Sequence, residues 1–231
     1  MSPSDRPSTV QRAEPTLREV LGGRRGAVDA TAPVVAFVTG WLAAGWLGGS
    51  SQVVWGGAAA VLVALVVAVA RLATGNRPRS VLVGLLGVVV AVLVALYTGR
   101  AVDFFLIQLL ANAASALTWA VSIVVRWPLL GVVVGLVLGQ RTRWRRDPDL
   151  MRGYQRASWF WVGQYLLRLA VFLPLYFADA VVALGVARLA FTWPLIIACI
   201  GVSWRVIRRT LPGDHPGLRH PRVPEPPRIS R

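Results

Sequence analysis

RWPLLGVVVGLVLGQRTRWRRDPDLMRGYQR, residues 126–156, decides how this chain is organised. The apolar part, residues 127–139, is short, because its 13 residues cover only about 20 Å as a helix. The hydrocarbon core of a bilayer is about 30 Å thick. The rest of the stretch carries the densest positive charge in the chain. The side of the membrane on which this charge lies therefore sets the number of membrane spans.

The composition indicates an integral membrane protein. Of the 231 residues, 55% are hydrophobic, and the mean hydropathy is +0.59, far above that of a soluble domain. The net charge of +15 comes from 25 arginines, with no lysine, against 10 acidic residues. These arginines lie between apolar blocks and not on one soluble face, so the charge does not indicate nucleic-acid binding.

The apolar blocks predict an all-α fold, a polytopic helical membrane bundle within residues 27–210. We expect six transmembrane helices at 31–50, 53–73, 81–99, 104–125, 158–177 and 182–206. Residues 127–139 are expected to form a short re-entrant or interfacial half-helix, or a seventh helix if they span. Residues 1–26 are predicted to be a partly disordered cytoplasmic tail with a short amphipathic helix, and residues 211–231 a disordered Pro/Arg-rich tail.

Charge placement favours a topology with both termini in the cytoplasm. With six spans and a half-helix that returns to the same side, 22 of the 25 arginines are cytoplasmic. If residues 127–139 crossed the bilayer, the arginines between 141 and 156 would face outward, against the positive-inside bias. A reporter fused at Arg145 and found on the outer side would contradict this topology.

Polar residues inside the spans are the candidate functional residues, because lipid makes them costly unless they face protein or water. Asn112 and Arg168 both lie near the predicted bilayer midplane, on helical faces that also hold other polar side chains. The two faces together form one predicted polar face. Its members are Gln108, Asn112, Ser115, Ser122, Gln164, Tyr165 and Arg168.

Two interpretations of Arg168 remain open. In the first, the polar face lines a cavity in which the permanently charged guanidinium binds an anion or gates a path. In the second, Arg168 is a buried strut satisfied by helix carbonyls and by neighbouring amides. Nearer the outer ends of the spans, Arg188 is interpreted as an interface anchor or as a partner of Asp103 or Asp179.

The basic loop is predicted to contact anionic lipid headgroups through Arg141, Arg143, Arg145 and Arg146. Asp147 and Asp149 match no metal motif, and Asp149 is expected to cap a short helix after Pro148. There is no P-loop, GxSxG, HExxH or GxGxxG motif. The sequence therefore predicts no cofactor, no metal and no catalytic residue.

Four stretches of the sequence resemble a known family. They are LREVLGGRRGAVDATAPVVAFVTGW, VSIVVRWPLLG, WRRDPDLMRGYQRASWFW and GVARLAFTWPL. Together they are similar to an actinobacterial family of membrane proteins, domain of unknown function 3159, over about residues 16–210. The resemblance implies a location in the bacterial plasma membrane and transfers no catalytic residue.

Three functions fit these observations. The first is permeation or transport of a small solute or ion, or an accessory role in it, through the polar face around Arg168. The second is a non-catalytic envelope scaffold or regulatory subunit, with a membrane-protein partner or a second copy of the chain bound to it. The third is an enzyme acting on a lipid phosphate or prenyl diphosphate, which would need a further acidic motif that the sequence lacks.

Overall fold

The computed structural model describes residues 23–49, 51–75, 78–140, 142–218 and 221–222. The α-helices are α1 (Gly23–Trp46), α2 (Gln52–Ala73), α3 (Pro78–Thr98), α4 (Leu106–Val124), α5 (Leu129–Val137), α6 (Pro148–Phe177) and α7 (Val181–Thr210). Two 3-10 helices, Ala101–Phe105 and Arg143–Arg146, precede α4 and α6. These residues contain no strand, so the predicted all-α class is confirmed. The predicted amphipathic helix before residue 23 lies outside the described residues.

Five helical stretches are long and apolar enough to cross a membrane: α2, α3, the first 3-10 helix with α4, α6, and α7. α1 has 24 residues and contains most of the predicted span 31–50, but it is not among these five. Asp29 lies within every 18-residue stretch of α1, and the apolar residues of the helix are interspersed with Gly, Thr and Trp, so its hydropathy is lower. α5 has nine residues, about 14 Å of helix, which is too short to span. A sixth span therefore stays a prediction.

α1 and α2 form a tightly packed hairpin because small residues line their contact. A Cβ added at Gly40 would lie 2.9 Å from the Cβ of Ala59, and one at Gly56 would lie 2.9 Å from the carbonyl oxygen of Phe37. Gly56 is followed on the same face of α2 by buried alanines at 60, 64 and 68. Such small residues allow two helix backbones to approach closely without leaving voids.

α4 and α6 run antiparallel, and two contacts fix their register. Near the start of α4, Asp103 accepts a hydrogen bond from Tyr176 near the end of α6. About four turns further along α4, Trp119 stacks on Trp161 with ring centroids 5.0 Å apart. Because the residue numbers of α4 rise as those of its neighbours on α6 fall, these two contacts place Asn112 at the same height in the bundle as Arg168.

The basic loop before α6 is folded against the bundle. Trp144 is 1% exposed and packs edge-to-face on Tyr154. The N-cap of α6 is Asp147, whose carboxylate accepts hydrogen bonds from the backbone N–H groups of Asp149 and Leu150. The expectation that Asp149 is the cap was therefore wrong, because Pro148 occupies the first helical position and leaves Asp147 as the flanking residue.

The segment that follows α7 packs against the start of α6. Asp147 binds the ring of His215 and the backbone N–H of Arg222, both at 2.8 Å. Gln140 donates to the carbonyl oxygen of Leu218 at 2.6 Å. Residues 211–218 and 221–222 belong to the predicted disordered tail, yet they make these specific contacts. We call them the C-terminal strap.

Candidate functional site within the helical bundle

Arg168 is buried in the interface between α6 and α7, with 6% of its surface exposed. One guanidinium nitrogen donates to the side-chain oxygen of Gln164 at 3.4 Å, and to the carbonyl oxygens of Phe191 and Thr192 at 3.3 and 3.1 Å. These carbonyls lie in the turn of α7 that precedes Pro194. Arg168 thus links α6 to this turn of α7, a contact of the kind that the strut interpretation expects.

Three buried nitrogens around Arg168 have no hydrogen-bond partner within the described residues. They are Nδ2 of Asn112, Nε2 of Gln164 and Nε of Arg168. Each carries N–H groups, so each can only donate. Leaving such groups unpaired is costly, and the cost falls when an acceptor such as water or an anion enters. The centre of the predicted polar face is therefore rich in donors and poor in acceptors.

The other members of the predicted polar face have different surroundings. Gln108 donates to the side-chain oxygen of Asn112 at 3.4 Å, and the ring of Tyr165 lies 5.6 Å from the guanidinium carbon of Arg168. Ser115 is half-buried. Ser122 donates to the carbonyl of Trp119 and accepts from Leu129, so it shapes the turn between α4 and α5 and lies away from the other members.

A cavity of about 350 Å³ lies between α1, α2, α3, α4 and α7. Its polar lining includes Gln108, which links it to Asn112, and an ion pair between Arg71 and Asp29 with the nitrogen and oxygen 2.9 Å apart. Arg188 also lines it and has no hydrogen-bond or ion-pair partner for its side chain within the described residues. The formal charge of the lining is therefore +1, because Asp29 compensates only one of the two arginines.

The sequence pattern does not identify Arg188 as a cavity residue and predicts a position near Asp103 and Asp179. The structure pairs those aspartates with Arg100, at 4.0 and 2.7 Å. Arg188 lies two turns inside α7, so its side chain lines the cavity and does not reach the end of the bundle.

The cavity reaches deep into the bundle from the end where α1 begins and α2 ends. On α3 its lining runs from Ser80 to Ala91, and its inner end includes Phe104. Phe104 stacks on Phe37 with centroids 4.0 Å apart, and Phe105 packs edge-on against both rings. This aromatic cluster closes the inner end of the cavity.

A second, more open cavity of about 490 Å³ lies at the opposite end of the same helices. Arg100 and Asp179 line it, together with Ala101 and Val102. The 3-10 helix Ala101–Phe105 thus contributes Phe104 to one cavity and Ala101 and Val102 to the other. All five of its residues are buried. We call this short helix the partition.

The arginines of the basic loop are exposed at the end of the bundle where α6 begins. Arg143, Arg145 and Arg146 all face outward, and the guanidinium of Arg145 lies 3.7 Å from the ring centroid of Trp127. A cation held over an indole in this way is a stable contact that leaves its outer face available. Arg141 lies outside the described residues.

Comparison with known proteins identifies one family. A family model described as "Protein of unknown function (DUF3159)" matches residues 21–214. No curated protein and no solved structure matches the chain.

Proposed function

We propose that this chain, which belongs to the DUF3159 family of uncharacterised membrane proteins, takes part in the permeation or transport of a small solute or ion. The two cavities on either side of the partition form the path, and the polar interior around Arg168 lies beside the deeper one. Arginine keeps its charge under nearly all conditions, so a path lined by arginines favours anions and repels cations.

The observation that supports this proposal is the pair of cavities on either side of the partition. A path that crosses a membrane needs access from both ends and a barrier between them. Here the barrier is five residues long, and the cavities on its two sides contain Arg188 and Arg100.

Flux into proteoliposomes tests the proposal. The purified full chain is reconstituted in phosphatidylcholine vesicles, and uptake of chloride, phosphate and small carboxylates is compared with uptake of sodium and potassium. We expect anion uptake that depends on the protein and falls when Phe104→Trp enlarges the barrier. Absence of uptake for every solute, with a partner protein co-purifying in mild detergent, would instead favour the scaffold function.

We also propose that the protein lies in a bacterial plasma membrane with both termini in the cytoplasm. In that orientation Arg143, Arg145 and Arg146 lie beside the anionic headgroups of the inner leaflet. The exposure of these side chains supports this contact. A reporter fused at Arg145 that is active only in the cytoplasm is the expected result, and activity only on the outer side would overturn the orientation.

A further inference from the structure

We propose that the 350 Å³ cavity binds an organic oxyanion, a carboxylate or a phosphate ester with an apolar substituent, and that Arg188 is its principal ligand. This inference rests on the proposed function for its biological role, but the binding itself does not depend on transport. It names the chemical class of the solute and a residue outside the predicted polar face.

The charge balance of the cavity favours an anion. Of the charged side chains in the cavity, Arg71 and Asp29 neutralise each other at 2.9 Å, which leaves Arg188 without a counter-charge among the described residues. A guanidinium in an apolar bundle is stable when an opposite charge accompanies it. An oxyanion beside Arg188 supplies the missing negative charge, and a carboxylate there makes the cavity neutral.

The chemistry of the ligand follows from the donors. Arginine presents a planar fork of N–H groups that matches the two oxygens of a carboxylate or phosphate, so it selects oxyanions over halides. Gln108 adds a side-chain amide to the same lining. The amide is held by its bond to Asn112, which connects the cavity to the donor-rich centre around Arg168.

The shape of the cavity indicates an apolar substituent on the anion. Most of the lining is apolar, with Val34, Val67, Val88 and Ile107 on four different helices. Gly84 and Gly87 of α3 also line it, and a Cβ added at either would meet nothing within 4 Å. The wall along α3 is thus open enough to admit an alkyl chain, and burial of each methylene there adds binding free energy.

An oxyanion of this kind has two sources, a water-borne solute or the phosphate of a membrane lipid. Both present the same oxygens to Arg188. A lipid ligand is already present in the bilayer, whereas a water-borne solute has to enter from solution. Competition between a lipid and a soluble probe therefore distinguishes the two sources.

The experiment uses the full chain in neutral detergent, with hexyl phosphate and hexanoate as probes and isothermal titration as the measurement. Hexanol and hexyltrimethylammonium are the neutral and cationic controls. We expect the two anions to bind and the controls not to bind. Arg188→Gln should weaken binding about tenfold or more, because it removes a charge-assisted contact. Arg205→Gln, on an exposed part of α7, is the matched control and should leave binding unchanged.

A second pair of variants covers the case in which Arg188→Gln does not fold. Gly87→Leu should fit the open space and fill part of the cavity, which weakens binding of both anions. Gly163→Leu, at an exposed site on α6 with equally open surroundings, is its control. Hexanol binding as tightly as hexyl phosphate, or Gly87→Leu binding like the original chain, would overturn the inference.

Two further comparisons show whether the bound oxyanion is a lipid or a water-borne solute, and whether its binding is linked to transport. Displacement of hexyl phosphate by phosphatidic acid in phosphatidylcholine nanodiscs assigns a lipid ligand, and failure to displace assigns a water-borne one. Binding without flux supports the site and removes the transport proposal. Flux that persists in a chain where neither anion binds removes the site and leaves the transport proposal standing.

Discussion

His215 and Asp147 are joined by a hydrogen bond of 2.8 Å, although 68 residues separate them in the chain. Both side chains are almost fully buried. The backbone N–H of Gly217 donates a hydrogen bond to Nδ1 of His215 at 3.0 Å, so Nδ1 is the acceptor nitrogen. The ring proton is therefore on Nε2, which donates a hydrogen bond to Asp147. This tautomer of the neutral imidazole ties the C-terminal strap to the first turn of α6.

Replacement of His215 should release the strap. In His215→Ala, Asp147 loses one buried partner, and we expect a loss of roughly 1–3 kcal/mol in the local stability of the strap. Limited proteolysis should then cut after Thr210 faster than in the original chain. Asp214→Asn is the control, because the Asp214–Arg222 ion pair is mostly exposed and should matter little. Equal cleavage of the His215→Ala and Asp214→Asn variants would contradict this role of His215.

Acid should also release the C-terminal strap, because it protonates Asp147. Burial raises the pKa of this carboxyl, but hydrogen bonds from His215 and from the backbone of Arg222 and Leu150 outweigh burial, and the pKa is lowered from its ordinary value. A depressed pKa means that the carboxylate stabilises the fold above the pKa of the unfolded chain, and that this stability is lost as the pH falls through the folded pKa.

We therefore expect the protection of the amide protons in residues 211–218, measured against their intrinsic exchange rate at the same pH, to fall below about pH 4. In Asp147→Asn this protection should already be low at neutral pH and should not change with acid. Protection of the strap that has the same acid dependence in both chains would show that another group controls it.

Gly131 should not tolerate a side chain. A Cβ at this position would lie 2.7 Å from the indole ring of Trp144, which is itself buried. Gly131→Ala should therefore displace Trp144 and destabilise the protein by about 1–3 kcal/mol. Thermal unfolding followed by tryptophan fluorescence measures the loss. Gly163→Ala, where the added methyl meets open space, should unfold at the original temperature or slightly above it, because alanine favours a helix by up to about 1 kcal/mol over glycine.

Arg168→Met separates the two interpretations of Arg168. The change removes three hydrogen bonds but also removes a buried charge, and the two effects offset each other, so we expect a stability within about 1 kcal/mol of the original chain. If Arg168 serves permeation, anion flux per reconstituted protein should fall. Lower abundance with unchanged flux per protein would identify Arg168 as a strut only.

Much of the fold was predictable because hydrophobic length decides where membrane helices lie. The bounds of the predicted span 53–73 are close to those of α2, Gln52–Ala73, and the bounds of 81–99 are close to those of α3, Pro78–Thr98. The difference is larger where a helix begins at a capping residue outside the apolar stretch. α6 starts at Pro148, ten residues before the predicted span 158–177, because Asp147 caps it.

The site was less predictable because its contacts join distant parts of the chain. The period of α4 correctly placed Gln108 beside Asn112. The pairing of Asp29 with Arg71, 42 residues apart, depends on the register of the α1–α2 hairpin. Asp29 and Arg71 lie at similar sequence distances from the turn that joins α1 to α2, so an antiparallel hairpin places them close together. No comparable local signal identified Arg188 as a cavity residue.

The thinness of the partition has an electrical consequence. In the proposed path, the five residues Ala101–Phe105 form the barrier, and at the roughly 2 Å rise per residue of a 3-10 helix they are about 10 Å long. Where water fills the cavities on both sides, most of a membrane voltage falls across that short distance, at about 2.3 kcal/mol per elementary charge for each 100 mV. An anion that leaves Arg188 for Arg100 then crosses most of the field in one step. Its passage would therefore depend strongly on voltage and only weakly on the thickness of the surrounding bilayer.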